Sequence, residues 1–259
     1  MSSANGSLVV VGTGIQAPRH TSIRSESEIR LADLVYYLAD SLASQWITDL
    51  RPDAISLQGH YGENKDRRQT YREMTDVIVT ATRAGSRVCL VLYGHPGVFA
   101  QVSHAAIALL RAEGFDTRME PGISAEACLY ADLELDPGDC GVQSFEATRF
   151  LAWQHTLDPA ALVLLWQVAL AGNLACIGFE PDPARLQVLV DKLSRWYRLD
   201  TPVILYEAAQ LPIEDFRAQR MALADLPAAR YREYTTLVIP PAREAARDAQ
   251  SIKALAALD

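Results

Sequence analysis

The sequence predicts an α/β protein whose first half is a mostly parallel sheet with helices between its strands. Three observations predict it. Strand-like apolar runs alternate with helix-like periodic segments from Leu8 to Met119. Two of those runs stop at glycine-rich turns, Gly12-Thr13-Gly14 and Gly94-His95-Pro96-Gly97. At Glu120-Pro121-Gly122-Ile123-Ser124 the rhythm changes and a second series of strand candidates begins. Pro-Gly is a turn signal, so a domain boundary is expected there: residues 1–121 form an N-terminal α/β domain, 122–242 a C-terminal α/β domain and 243–259 a surface tail.

Each element has a local reason. Leu8-Val9-Val10-Val11 is rich in β-branched residues and ends at Gly12, as a buried strand does. Ser25 to Ala32 is a short helix candidate before the apolar run Leu34-Val35-Tyr36-Tyr37. Ser41 to Leu50 has helical periodicity with Trp46 on its apolar face, and Ala54 to Leu57 is a short strand. Arg67 to Ala84 is a longer helix ended by Gly85, followed by the strand 88–92. The periodic run from Phe99 to Ala112 predicts a helix, and Thr117 to Met119 a short strand. Ser124 caps a helix over 125–131. Beyond it, strands are expected at 162–166, 203–205, 218–221 and 236–239, with a helix over 183–197. Pro240-Pro241 ends the last strand.

Bulk properties exclude several classes. The chain has 259 residues, 49% of them hydrophobic, and a net charge of −8. That charge argues against a broad nucleic-acid surface. No apolar run reaches the ~18 residues of a membrane span, and Met1 to Ser7 carries no signal peptide, so no membrane partner is expected and cytoplasmic residence is. Cys89, Cys128, Cys140 and Cys176 are widely spaced, with no CxxC or HExxH, so they read as reduced thiols and no metal is expected.

Gly12-Thr13-Gly14-Ile15-Gln16-Ala17 fits a dinucleotide-binding pattern, with Asp33 about 20 residues on. That reading needs a helix to open at the motif. Pro18 biases Ala17 away from helical angles, and Arg19-His20-Thr21-Ser22 reads as loop, so no helix N-terminus is left for a pyrophosphate. A second constellation is Tyr61, Arg67 and Tyr71. Arg67 and Tyr71 are spaced i, i+4 at the start of a helix and share a face. Tyr93, at the end of another strand, is placed to converge on them. Phenols beside a guanidinium suit acid–base chemistry on a poor nucleophile, because the cation favours a charged phenol. The plainer alternatives are that Tyr71, sharing a face with Met74 and Ile78, is a core residue, and that Arg67 pairs with Asp66 or Glu63. His20, His60, His104 and His155 have no ligand spacing and read as solvent-facing or structural.

Taken together, Gly12-Thr13-Gly14, Gly94-His95-Pro96-Gly97-Val98-Phe99 and Pro121-Gly122-Ile123-Ser124-Ala125 resemble the tetrapyrrole methylase superfamily over roughly residues 7–240. Most of that superfamily has Gly-Asp-Pro where this chain has Gly94-His95-Pro96. The departure, with Met119 to Cys128, Ala131-Asp132-Leu133 and Asp136-Pro137, resembles the borosin peptide backbone α-N-methyltransferases. Tyr61, Arg67, Tyr71 and Tyr93 match that family's catalytic positions. A further tyrosine found just upstream of Tyr61 in some members is Gln58 here.

The resemblance implies two α/β domains with S-adenosylmethionine (SAM) in the cleft between them, and S-adenosylhomocysteine (SAH) as product. It implies cofactor contacts at Ile15, Tyr93, His95, Val98, Phe99, Ser124, Ala125, Gln167, Ala209 and Thr236, and no metal. Through Trp166-Gln167, Tyr206-Glu207-Ala208-Ala209 and Leu211-Pro212-Ile213 it is similar to the split type, which methylates a separate ribosomally made precursor peptide; the short Ala242–Asp259 tail fits that expectation. Superfamily members are usually homodimers, so the implied assembly is a homodimer, or a heterotetramer with two precursors. The competing expectations are methylation of a tetrapyrrole or other small molecule, against which His95 counts, and a non-catalytic SAM-binding regulatory module, against which the retained tyrosines and Arg67 count.

Overall fold

The computed structural model describes residues 6–258. Two compact units emerge, each with its own five-stranded sheet. The first contains residues 1–135, 175–178 and 208–217; the second contains 136–174, 179–207 and 218–259.

Unit 1 runs β1 (Ser7–Gly12), α1 (Ile23–Leu31), β2 (Leu34–Leu38), α2 (Ser41–Leu50), β3 (Ile55–Ser56), α3 (Arg67–Arg83), β4 (Arg87–Leu92), α4 (Gln101–Ala112), β5 (Asp116–Met119) and α5 (Ala125–Asp132). The strand order is β3-β2-β4-β1-β5, and every pairing is parallel. Parallel strands need both faces covered. Alternation along β1 delivers this: Leu8 and Val10 pack with Met74 and Ile78 of α3 and Val102 and Ala106 of α4. Val9 and Val11 face the other way, toward Ile29 of α1 and Ile47 of α2. Asp66 caps α3 by accepting from Arg68 N at 2.8 Å.

The loop after β1 therefore leaves toward one face and the turn after β4 toward the other, although β1 and β4 are neighbours. Such a switch point opens a crevice at the carboxyl ends of the strands.

At the other end of the sheet Glu28 is buried, 1% exposed, among three arginines. Arg24, Arg87 and Arg118 reach its carboxylate at 2.8, 2.7 and 2.5 Å, joining α1 to β4 and β5. Burial alone would raise this carboxyl, but the Arg87 hydrogen bond and the charges of Arg118 and Arg24 hold it below the usual glutamate range. A depressed folded-state value means that its contribution is complete above the ordinary glutamate pKa and lost as pH falls through the folded one. Glu28→Gln is expected to cost about 2 kcal/mol at neutral pH, less than for a fully buried pair because the arginines are half exposed. Urea unfolding taken from neutral pH downward should show the gap between wild type and variant closing below about pH 4; a gap independent of pH would refute this account.

Unit 2 runs α6 (Pro137–Cys140), β6 (Val142–Glu146), α7 (Ala147–Ala152), β7 (Leu162–Trp166), α8 (Pro183–Leu193), β8 (Pro202–Glu207), β9 (Arg217–Ala222), β10 (Thr236–Ile239) and α9 (Ala249–Leu255). Its order is β6-β7-β10-β8-β9. β6 and β7 are parallel, while β10 is antiparallel to both β7 and β8. β7 lies between β6 and β10, and its unbroken apolar run from Leu162 to Trp166 is buried throughout. Buried Lys192 of α8 holds the C-terminal end of α7, its ammonium donating to the carbonyls of Phe150, Leu151 and Trp153. A cation there satisfies carbonyls that have no partner within the helix.

Several expectations are corrected. The helix expected from Phe99 starts at Gln101, because Phe99 has φ +52°, outside helical geometry. The helix over 183–197 ends at Leu193. β6 and α7 had no clear sequence signal. The units divide between Leu135 and Asp136, not after 121. The reason is local: the segment at Gly122 lies against Pro96 and Gly94, and Asp132 of α5 is near enough to act on His20. Segments 175–178 and 208–217, expected in the C-terminal domain, belong to unit 1. The tail includes α9, whose Ile252 and Leu255 are exposed. Among the described residues no helix is long and apolar enough to cross a membrane. Burial pushes the Cys89 thiol well up and Cys128 to about 11, so neither is poised as a thiolate.

Candidate functional site

The three glycine-bearing motifs of unit 1 meet at the switch point. Gly14 N donates to Gly94 O at 3.2 Å and Gly94 N to Gly14 O at 3.0 Å, a two-way bridge between the β1 exit and the β4 turn. Gly94 has φ +69°, which a glycine adopts without strain. At Gly12 the need is space: a Cβ there would lie 2.2 Å from Gly94 O and 2.7 Å from Pro96 Cδ. Gly122, after β5, approaches the same pair, with a virtual Cβ 3.2 Å from Pro96 Cδ and 3.3 Å from Gly94 O.

Around this crossing stand most of the expected cofactor residues. Ile15 is buried, its Cδ1 3.7 Å from a virtual Cβ on Gly94. Val98 and Phe99 are exposed on the turn, 43% and 51%. Ser124 caps α5 by accepting from Ala127 N at 3.3 Å, and Ala125 is the first residue of that helix. Ala209 is brought here by segment 208–217, since Gln16 Nε2 donates to its carbonyl at 3.1 Å. His95 folds back on its own turn, Nδ1 accepting from Gly97 N at 3.0 Å. This is the i to i+2 pattern by which an aspartate stabilises a turn. Histidine thus supplies here the turn-stabilising acceptor that an aspartate carboxylate can supply in such a turn.

The dinucleotide pattern at Gly12–Ala17 meets no helix N-terminus, for the reason its sequence suggested. α1 does not open until Ile23, after cap residue Ser22, and residues 13–21 are a loop.

Tyr61 follows a short 3-10 turn (Gln58–His60) beyond β3, and Tyr71 lies one turn into α3. Their rings meet edge to face, centroids 6.4 Å apart and planes at 90°. Both are partly buried against the α3–α4 core, so Tyr71 is at once a packing residue and a neighbour of Tyr61. Arg67 opens α3. Its neighbour Asp66 binds Arg68. The Arg67 guanidinium donates to Gly178 O, and its backbone N–H to Cys176 O at 3.1 Å. Tyr93 extends the β2–β4 pairing, donating its N–H to Leu38 O at 3.1 Å. It stands at the carboxyl end of β4, two strands across from β3, whose carboxyl end leads to Tyr61.

In unit 2 the other two expected residues are neighbours of each other. Gln167 is left-handed, φ +53°, just past β7. Thr236 begins β10, and Val168 N donates to Thr235 O at 3.0 Å, tying the two strand ends together. Beside them Glu207, 3% exposed at the end of β8, accepts from Thr235 Oγ1 at 2.6 Å. Sequence reading missed the Glu207–Thr235 pair and the 175–178 segment. Glu207 lies inside the Tyr206–Ala209 stretch, which is the signal that could have found it; the contact of Arg67 with Gly178 joins residues too far apart to carry one.

These features, a doubly covered parallel sheet with a glycine crossing at its switch point and a mixed second sheet, define a methylase-type fold. The chain belongs to the tetrapyrrole (corrin/porphyrin) methylase family, whose pattern matches residues 7–247. It is 39% identical over 214 residues to the methyltransferase/ribosomally synthesized cyclic peptide lentinulin A precursor of Lentinula edodes, covering 82% of this chain and 51% of that one. It is 36% identical over 225 residues to a methyltransferase/ribosomally synthesized type I borosin cyclic peptide precursor of Coprinopsis marcescibilis, covering 85% and 57%. The chain thus spans little more than half the length of these relatives. Among solved structures, uroporphyrin-III C-methyltransferase from Thermus thermophilus aligns with a TM-score of 0.64 at 19% identity, over 92% of this chain and 93% of that one. A structure of a Thermus thermophilus uroporphyrin-III C-methyltransferase with S-adenosylhomocysteine aligns with a TM-score of 0.60 at 16% identity, over 91% and 92%.

Proposed function

We propose that this protein is a SAM-dependent methyltransferase acting on backbone amide nitrogens of a ribosomally made peptide, supplied in the split arrangement as a separate chain. The observation that carries the reading is the contact between Tyr61 and Tyr71, on the helix that Arg67 opens, at the sheet end that also bears the glycine crossing. The peptide substrate is supported by the relatives, which are named as methyltransferases joined to peptide precursors. The split arrangement rests on the resemblance to that type through Trp166-Gln167 and Leu211-Pro212-Ile213.

The residues on the turn suit SAM. Val98 and Phe99 offer exposed apolar surface for an adenosine, with Ile15 buried beside Gly94, while the turn and the α5 cap offer backbone polar groups. None of the expected unit 1 cofactor contacts is a lysine or arginine. Gln167 and Thr236 are the contacts proposed from unit 2. When bound, SAM supplies an electrophilic methyl carbon.

The protein's own groups must make the amide nitrogen nucleophilic, since its lone pair is delocalised into the carbonyl. The phenolate of Tyr71 or Tyr61, its own proton given up to solvent beforehand, accepts the amide proton, directly or through water, and becomes the neutral phenol. Arg67 donates to the peptide oxygen as negative charge grows there. Its guanidinium is planar with five donors, and the bond to Gly178 O fixes its orientation. Tyr93 orients the amide. Holding the nitrogen in line with the methyl carbon supplies the remaining acceleration.

The test is co-expression with candidate precursor peptides sought among short reading frames near its own gene, followed by intact mass and fragmentation. Whole methyl increments on backbone nitrogens of the separate peptide are expected. Methyls on side chains, on this chain alone, or on nothing while SAM is bound would each overturn a stated part of the proposal.

A further inference from the structure

We infer that His104, together with His95, is a positioning residue that fixes the Gly97–Phe99 backbone for the cofactor by holding the two peptide groups that flank the Gly97 Cα. The inference deepens the cofactor reading above and rests on it.

Gly97 is engaged at both its polar atoms by histidines. Its N–H donates to His95 Nδ1 at 3.0 Å, and its carbonyl lies 2.8 Å from His104 Nε2. The carbonyl can only accept, so His104 Nε2 carries a proton; the N–H can only donate, so His95 Nδ1 does not. The two rings therefore act as a matched donor and acceptor. His104 lies in the first turn of α4, next to Ser103, whose buried hydroxyl shares its one proton between Pro96 O at 2.7 Å and Ala100 O at 2.8 Å. Consecutive α4 side chains thus grip the consecutive carbonyls of Pro96 and Gly97.

The segment so held contains the strained residue of the turn. Phe99 sits at φ +52° with its ring half exposed. A non-glycine residue persists in that conformation only when its surroundings over-determine it. A Cβ on Gly97 would fall 2.6 Å from Met119 Sδ, so the peptide also has β5 behind it. The sequence reads His104 only as solvent-facing or structural, because its partner is a backbone carbonyl that a sequence pattern does not reveal.

The test is calorimetric titration of SAH into the full chain and four variants, with melting temperature as a fold control. His104→Ala removes the donor and should weaken SAH binding roughly three- to tenfold, the worth of one ordinary hydrogen bond. His104→Gln places an amide N–H where Nε2 was and should recover most of that loss. His95→Asp keeps an acceptor for Gly97 N–H and His95→Ala removes it, so the first should bind SAH more tightly than the second. Equal binding by His104→Ala and wild type overturns the inference, as does His104→Gln being no better than His104→Ala with unchanged melting. If wild type itself binds no SAH, the cofactor reading falls and the inference with it.

Discussion

Arg67→Ala should slow peptide methylation by about a hundredfold or more, while SAH binding stays near the wild-type value. The argument is one of charge. Removing a proton from an amide puts negative charge on its oxygen, and a charged guanidinium donates to such an oxygen more strongly than a neutral group does. Tyr71→Phe should cost a similar factor, because a missing phenol oxygen leaves the amide proton without its acceptor. Tyr61→Phe separates the two phenols: the larger loss marks the base, and the smaller loss marks the ring that supports it edge to face. Single-turnover rates with saturating SAM and peptide are the proper readout. Wild-type rates in both Arg67→Ala and Tyr71→Phe, with both ligands bound, would sink the mechanism. The Ala variant keeps the backbone bond from residue 67 to Cys176 O, so the start of α3 should survive.

Gly12→Ala should have the second large effect, and it is steric. The new methyl would lie 2.2 Å from Gly94 O and 2.7 Å from Pro96 Cδ. Neither neighbour is the tip of a flexible side chain; one is backbone and the other a ring carbon. The β4 turn must therefore move away from β1, breaking the Gly14–Gly94 bridge. Overpacking of this kind costs about 1–3 kcal/mol, and more where backbone cannot yield. The expected result is a lower melting temperature and loss of measurable SAH binding. Gly59→Ala is the control, since nothing lies within 4 Å of a Cβ there. A Gly12→Ala protein that melts and binds SAH like wild type would show that the crossing is looser than these distances require.

The first sheet was legible in the sequence because its strands are short apolar runs punctuated by glycine, and parallel packing demands that pattern. The glycine motifs were equally visible, although not that Gly12 and Gly122 approach the same turn from two sides. Arg67 and Tyr71 could be paired in advance, because they lie four residues apart at the start of one helix. The engagement of Arg67 by residues 176 and 178 could not, since it depends on a contact more than a hundred positions away. β6 escaped because Val142-Gln143-Ser144-Phe145-Glu146 is only partly buried and mixes polar with apolar residues. The boundary at 121 followed the Pro-Gly signal, but packing carries α5 with the first sheet.

The interleaving of the two units has a consequence for how the chain is made. The first 135 residues contain every strand of the first sheet, yet unit 1 also needs residues 175–178 and 208–217. A nascent chain that has just cleared Leu135 can build β1 to β5, but it has no Gly178 carbonyl to receive Arg67 and no Ala209 carbonyl to receive Gln16. Those contacts wait until much of the second unit has left the ribosome. Assembly of the proposed active site is thereby deferred to the late stages of synthesis, after its scaffold is already standing.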